Sequence, residues 1–206
     1  MRHFVLAILF SGCSTVYYKA WENLGYEKRD LLYSRAEAAK DAQENTTVQF
    51  RDALTRLRDA YPLQTTELQK TYERVSKSYE QSESSAEKLK SRIDSMHKVA
   101  SDLFDEWKKE ADTIETPSLR TQSMRQLDET KRRYNVMRGE LLASYDRTGP
   151  VLRKFRDYVL FLKHNLNAQS LSSLAGESER IQTDIESLLK QMDRSILETE
   201  QFLRTL

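Results

Sequence analysis

From Leu68 to Trp107 the chain repeats apolar residues in alternating steps of four and three: Leu68, Tyr72, Val75, Tyr79, Ser82, Ala86, Leu89, Ile93, Met96, Ala100, Leu103 and Trp107. Eleven of these twelve positions are apolar or aromatic, and Ser82 breaks the series. A 3.5-residue repeat held over this length is the mark of a helix packed left-handedly against other helices. The whole chain supports the same geometry, because 206 residues contain only 5 Gly and 3 Pro. A barrel or sandwich needs a turn roughly every 10 residues, and this chain lacks the residues to make them.

Two prolines cut the pattern into segments, since each disfavours helix in the residue before it: Pro62, after Tyr61, and Pro117, after Thr116. A softer break lies at Asn165-Leu166-Asn167-Ala168-Gln169-Ser170, where cap-forming residues cluster without Pro or Gly. The third segment keeps the beat with Met124, Leu127, Tyr134, Leu141, Tyr145, Leu152, Phe155, Val159, Leu162 and Leu166, interrupted by Lys131, Arg138 and Thr148. The fourth offers Leu171, Leu174, Ile181, Ile185, Leu188, Met192, Ile196 and Phe202 or Leu203. The first shows Trp21, Leu24, Leu31, Ala38, Ala42, Phe50, Leu54 and Leu57, with a phase shift near Asn45-Thr46-Thr47. The expectation is an all-α fold: an elongated antiparallel bundle of three to four long helices with heptad packing, spanning about 16–60, 66–114, 118–165 and 171–205. Helices of ~45 residues make such a bundle a rod of ~70 Å. The shift at Asn45-Thr46-Thr47 leaves open whether the first helix packs along its full length or extends as an arm.

Antiparallel pairing assigns heights along the rod. A first turn centred near residue 63 sets Ala42 level with Ser84, and Ala39 near Glu87; a second, near 115.5, sets Ser82 level with Gly149. Gly149-Pro150 is the one place inside the third segment where a helix is expected to kink. Small residues beside a kink allow close packing, a narrow waist or a ligand pocket, so Ala42, Ser82, Tyr145, Gly149, Pro150 and Leu188 form a candidate waist or pocket.

The first twelve residues are of a different kind. Arg2 and His3 precede Phe4-Val5-Leu6-Ala7-Ile8-Leu9-Phe10, an apolar run well short of the ~20 residues that span a bilayer. A basic start, a short apolar stretch and small residues read as an export signal over 1–12. Leu9-Phe10-Ser11-Gly12-Cys13 resembles a bacterial lipobox, in which the cysteine is lipidated and becomes the first residue of the mature chain. Phe10 departs from the Leu or Val usual at its position. The resemblance implies a lipid anchor on Cys13, the single cysteine, with the mature domain beginning there. Ser14 rather than Asp implies delivery to the periplasmic face of the outer membrane. Tyr17, Tyr18 and Trp21 follow almost at once, and such aromatics suit the headgroup level, leaving little tether between membrane and rod. The alternative is a plain signal peptide or an uncleaved anchor with an incidental cysteine.

Charge is balanced overall, 33 basic against 32 acidic side chains, so global charge names no partner. Its distribution is uneven. Residues 118–166 carry 11 basic and 5 acidic residues, while 66–115 carry 9 and 12 and 167–206 carry 4 and 7. A basic helix between two acidic ones is electrostatically self-complementary. The same excess offers Arg132, Arg133, Arg153, Lys154 and Arg156 as a candidate basic face toward anionic envelope material or an acidic protein. Nucleic acid is not expected as a partner: the chain carries an export signal, and its aromatics lie in the heptad stripe rather than on an open stacking surface. An intermolecular bundle satisfies the same heptads, so a homo-oligomer stays open beside a monomer.

No familiar catalytic constellation is complete in this sequence. A di-iron bundle needs Glu-x-x-His on two helices, and the nearest sequence is the lone Asp94-Ser95-Met96-His97. The carboxylates Asp102, Asp105, Glu106 and Glu110 share helical spacing but flank Trp107-Lys108-Lys109 near a helix end, where solvation is the ordinary state. There is no G-x-S-x-G, HExxH or GxxxxGK[ST]. The expectation is a protein without enzymatic activity, cofactor or metal.

Several stretches are similar to an uncharacterised bacterial family of exported, helical, coiled-coil-like proteins of unknown function. They are Gly25-Tyr26-Glu27-Lys28-Arg29-Asp30, Ala39-Lys40-Asp41-Ala42-Gln43, Leu103-Phe104-Asp105-Glu106-Trp107, Arg132-Arg133-Tyr134, Pro150-Val151-Leu152 and Tyr158-Val159-Leu160-Phe161-Leu162-Lys163-His164-Asn165-Leu166-Asn167. Some relatives carry a DNA-repair ATPase label, which no nucleotide-binding loop in this sequence supports. The resemblance implies a helical exported protein and supplies no activity, substrate or site residues.

Two functional expectations result. One is a non-enzymatic envelope lipoprotein acting as a structural or interaction scaffold through a membrane-anchored rod. The other is a helical carrier holding an apolar ligand near Gly149-Pro150. A filled core with polar outer faces favours the first; a cavity of a few hundred Å³ lined by Tyr145, Leu152 and Leu188 favours the second.

Overall fold

The computed structural model describes residues 28–60, 68–165 and 171–206. The expected export signal over 1–12, Cys13, Tyr17, Tyr18, Trp21, the connector bearing Pro62 and the stretch 166–170 lie outside the described residues. The described chain forms four helices: α1 (Lys28–Asp59), α2 (Leu68–Thr113), α3 (Pro117–His164) and α4 (Leu171–Thr205). Each packs on its neighbours in a closed ring, α1 on α2, α2 on α3, α3 on α4 and α4 back on α1. Ends meet in opposite senses: Lys28 reaches Glu106 across α1 and α2, Trp107 reaches Ser123 across α2 and α3, and Lys154 reaches Asp184 across α3 and α4. The fold is therefore an all-α, up-down-up-down bundle of four helices. With 46 residues in α2 and 48 in α3 it is a rod of ~70 Å.

The heptad stripe explains the inward faces, but each helix buries more than the stripe. On α2 the residues Thr71, Ser78, Ser85 and Val99 join the expected positions, and on α3 the column Thr130, Met137, Ser144, Val151 and Tyr158 lies buried beside Leu127, Tyr134, Leu141, Thr148, Phe155 and Leu162. A helix in a four-membered ring touches two neighbours and the diagonal, so a third heptad column turns inward and small residues suit it. On α1 the buried face runs through Leu32, Ala36, Ala39 and Gln43, which moves the expected Ala38 and Ala42 to its half-buried margin.

α1 packs along its described length from Leu31 to Ala60, so it is a full member of the bundle and no arm. Its register differs from the expected one. Thr46 bonds Ser85 and Lys28 pairs with Glu106, five to eight residues further along α2 than a turn centred at 63 allows. The second register holds closely, with His97 beside Tyr134 and Tyr79 against Phe155.

The α2–α3 turn is short because Pro117 starts α3 at its first position, where the missing N–H is no loss. Thr116 caps it with extended backbone, and Arg120 folds back to donate from Nε to the Ile114 carbonyl at 2.7 Å. α3 then runs unbroken through Gly149 and Pro150 to His164. Pro150 is exposed, so the Asp146 carbonyl that loses its helical partner there faces water. α3 ends at Asn165, whose N–H donates to the Leu162 carbonyl at 3.3 Å and whose Nδ2 donates to the Phe161 carbonyl at 3.0 Å.

Candidate functional site

The apolar core is not continuous along the rod. One cluster joins Phe50 and Leu57 to Phe155, Leu162, Ile185 and Met192; a second joins Leu32 and Ala39 to Leu89, Met96, Leu127, Tyr134, Leu141 and Phe202. Between them lies a belt of buried polar side chains contributed by all four helices: Gln43, Thr46 and Thr47 from α1, Ser82 and Ser85 from α2, Ser144 and Thr148 from α3, and Ser195 and Thr199 from α4. Gln43, Thr46, Ser82, Ser144, Ser195 and Thr199 have no exposed surface.

Most belt hydroxyls are satisfied within their own helix. Thr47 donates to the Gln43 carbonyl at 2.9 Å, Ser85 to Ser82 at 2.8 Å, Thr148 to Tyr145 at 2.7 Å, Ser195 to Met192 at 3.0 Å and Thr199 to Ser195 at 2.8 Å. This back-bonding is the usual refuge of Ser and Thr inside helices. Contacts between helices are fewer. Thr46 Oγ1 lies 2.8 Å from the Ala42 carbonyl and 3.1 Å from the Ser85 carbonyl, Ser144 Oγ lies 3.0 Å from Gln43 Oε1, and Ser195 Oγ lies 3.5 Å from Ser144 Oγ. Gln43 Nε2 and Ser82 Oγ are buried with no hydrogen-bond partner in the protein.

The expected waist residues meet this belt in different ways. Ser82 is inside it. Ala42 borders a surface groove of about 490 Å³ between α1 and α2, shared with Ala38, Asn45 and Ser85. Tyr145 and Gly149 line a second open groove of about 350 Å³ between α2 and α3, together with Tyr79, Leu152, Arg153 and Arg156. Gly149 leaves room there: a methyl at its Cα would sit 3.5 Å from Arg153 Nη1, an ordinary contact. The groove floor reaches the buried Ala86 and Thr148. Leu188, expected beside Tyr145 and Leu152, is buried in the apolar cluster of Phe155 and is absent from the groove wall, which instead carries Glu83, Glu87 and Asp146.

The five cations of the expected basic face do not form one patch. Arg132 and Arg133 lie 20 or more residues from Arg153, roughly 30 Å along α3. Arg133 pairs with Glu129 at 2.7 Å on its own helix, Lys154 turns to Asp184 of α4 at 2.5 Å, and Arg153 and Arg156 face the α2 groove. Further ion pairs tie the ring: Arg51 to Asp193, Arg58 to Glu186, and Arg194 to Glu140. The two charged intruders in the α3 stripe stay at its margin, Lys131 with its ammonium 5.8 Å from the Phe104 ring centre and Arg138 half-buried near His97.

Titratable groups shift away from neutral-pH chemistry. Burial, reinforced by a hydrogen bond to Glu83, pushes the Tyr79 hydroxyl up to about 12. Burial also raises Tyr134, against the pull of Arg138. His97, whose Nδ1 lies 3.2 Å from Tyr134 Oη, is lowered by desolvation and then by Arg138, with Asp94 opposing. Among the described residues no group of His, Cys, Asp and Glu could hold a metal ion, and no helix is long and apolar enough to cross a membrane.

The belt escaped the heptad reading although each of its signals was visible. Ser82, Thr148 and the Asn45-Thr46-Thr47 shift were separate interruptions on three helices; the packed bundle brings them to one level. Ser144 lies in the third inward column of α3, which a two-column stripe does not address, while Gln43 shares the column of Phe50 and Leu57, and Ser195 and Thr199 continue those of Leu188 and Met192 as polar positions.

A family model described as Protein of unknown function (DUF2959) matches residues 17–206. Neither the curated proteins nor the solved structures contain a match to the chain.

Proposed function

As the chain belongs to this family of proteins of unknown function, DUF2959, we propose that it works by shape and attachment, as a non-enzymatic scaffold: a helical rod held by lipid on Cys13 at the periplasmic face of the outer membrane. The observation that carries this reading is the closed ring of helices. All four inward faces are consumed within one chain, and the outer walls are rich in charge. The described grooves are open, and where one meets the apolar core, at Ala60 and Val75, it is edged by Asp52, Arg56, Asp59 and Arg74, so the molecule offers its sides and ends to partners. The carrier reading draws less support, because its pocket needed Leu188 beside Tyr145 and Leu152, and the groove at Gly149 is open and edged by charges. The side walls offer separated cationic groups, Arg132 with Arg133 and Arg153 with Arg156, to an acidic partner or an anionic envelope component.

The antiparallel order gives the rod polarity. Lys28, Leu206 and the α2–α3 turn share one end, and an anchor on Cys13 sets that end nearest the membrane. The far end carries the α1–α2 and α3–α4 connections, about 70 Å away. Metabolic labelling with a palmitate analogue, in cells making wild type or Cys13→Ser, followed by separation of inner and outer membranes, tests the reading. Label on wild type alone, in the outer membrane, is the expected result. Equal absence of label from both removes the anchor.

A further inference from the structure

Gln43 sits at the middle of the rod with no exposed surface, and its amide cannot be completed by the protein. Ser144 has one hydroxyl proton and two acceptors at 3.0 Å, Gln43 Oε1 and the Leu141 carbonyl. If the proton goes to Leu141, as back-bonding favours, Ser144 Oγ becomes an acceptor and the amide turns to offer it an N–H. Oε1 then takes the position that Nε2 held, where no hydroxyl stands within reach. Turned the other way, both N–H protons lack an acceptor. The neighbouring hydroxyls of Thr47, Ser195 and Thr199 spend their protons on backbone carbonyls in either case. One end of a fully buried amide thus requires a partner that no side chain supplies, and buried amides seldom stay unpaired. Ser82 Oγ, in the same belt, is also buried and unpartnered.

The second observation concerns packing. The apolar side chains on the two sides of the belt form separate clusters, so cooperativity between them passes through the helices and through polar contacts that water can replace. We propose that this level is a hydrated joint: water bound at the open end of the Gln43 amide completes the belt inside the bundle, and the two apolar cores open independently of each other. Water suits the site because it both donates and accepts, and so serves either orientation of the amide, whereas an apolar molecule would leave the same groups unpaired. An independently opening half exposes its apolar stripe to a partner while the other half stays packed.

Two measurements on the purified full chain test this. In ¹⁵N-labelled protein, magnetisation transfer from water to the Gln43 side-chain amide, identified by its loss in Gln43→Met, is expected with the sign of a water resident for longer than the tumbling time. Absence of that transfer overturns the hydration site. Native-state hydrogen exchange in graded denaturant is expected to give two isotherms, one for amides of 50–57, 151–162 and 181–192 and one for 31–39, 89–104 and 127–141. A single shared isotherm in wild type overturns the joint. The triple variant Gln43→Leu, Ser144→Ala, Ser195→Ala fills the belt with apolar surface and is expected to merge the isotherms and slow exchange of the less protected half at least tenfold. Gln43→Leu alone gives the same readout should the triple variant misfold, and two isotherms unchanged in that variant overturn the role of the belt.

Discussion

Side chains of this rod divide into those that hold it and those that restrain it. Phe155 and Leu89 are fully buried in different clusters, so Phe155→Ala and Leu89→Ala are each expected to cost about 3–5 and 2–5 kcal/mol respectively, read by urea unfolding. Gln43 is opposite in sign. Replacing a buried, half-satisfied amide by Leu of similar size removes a desolvation cost, and Gln43→Leu is expected to stabilise by about 1–3 kcal/mol in the same assay. The tyrosines make a pH prediction. Tyr79 and Tyr134 hold their protons more tightly folded than unfolded, so they contribute stability that is intact below the ordinary tyrosine range near 10 and lost as pH climbs through the raised values. Absorbance titration near 295 nm is expected to show late phenol ionisation from these two side chains, and Tyr134→Phe to remove part of that late phase. His97 acts at the other end: its lowered value means that stability falls with pH below the ordinary histidine range near 6.5, and the exposed ring makes the effect small. These residue effects were partly legible. Leu89 and Phe155 fell on the heptad beat, whereas Gln43 is an ordinary polar residue until three other helices close around it.

At the scale of the helix, the stripes foretold existence and order, with three to four helices expected and four found, because periodicity is a property of local sequence and survives ignorance of neighbours. Depth of burial was less legible, since a third inward column is defined only by what stands opposite. The interior glycines make a clean test of this level. Gly139 and Gly176 lie in α3 and α4 where an added methyl meets nothing within 4 Å, so Gly139→Ala and Gly176→Ala are each expected to stabilise by about 0.5–1 kcal/mol. Thermal unfolding would register this as a rise of a few degrees. Pro150→Ala restores a donor to the Asp146 carbonyl and removes a ring clash, and is expected to stabilise α3 by up to about 3 kcal/mol in the same assay. Inter-helix ion pairs such as Arg51 with Asp193 are exposed and contribute little, so added salt is expected to leave the unfolding midpoint nearly unchanged.

For the molecule as a whole, a closed ring leaves no inward stripe for a second copy. Sedimentation of the chain is expected to give a monomer, and small-angle scattering a maximum dimension of at least ~70 Å. A dimer would instead point to the exposed apolar residues Val136, Leu160 and Leu197 as its contact. The register of α1 on α2 shows why whole-molecule geometry resisted reading. The turn centre near 63 was inferred from Pro62, but the relative height of two helices is set by how their side chains interlock along 30 residues, and that placed Thr46 beside Ser85. The dispersal of the basic face has a similar origin. Charge counted along a segment ignores azimuth, and on a helix one residue turns the side chain by 100°, so Arg153 and Lys154 face different neighbours.

What the sequence determined by itself was the class of object: an all-α chain, cut at Pro117, with long amphipathic helices that must bury a stripe against one another. Those features follow from spacing and from the scarcity of turn residues, both local. The tertiary structure alone decided that four helices close into a ring, that α1 packs fully within it, and that Ser82, Thr148 and Thr46 come to one height. That height is where Gln43 is enclosed with an unfinished set of hydrogen bonds. A buried polar belt is a coincidence of level across separate segments, and level is fixed only when the helices pack.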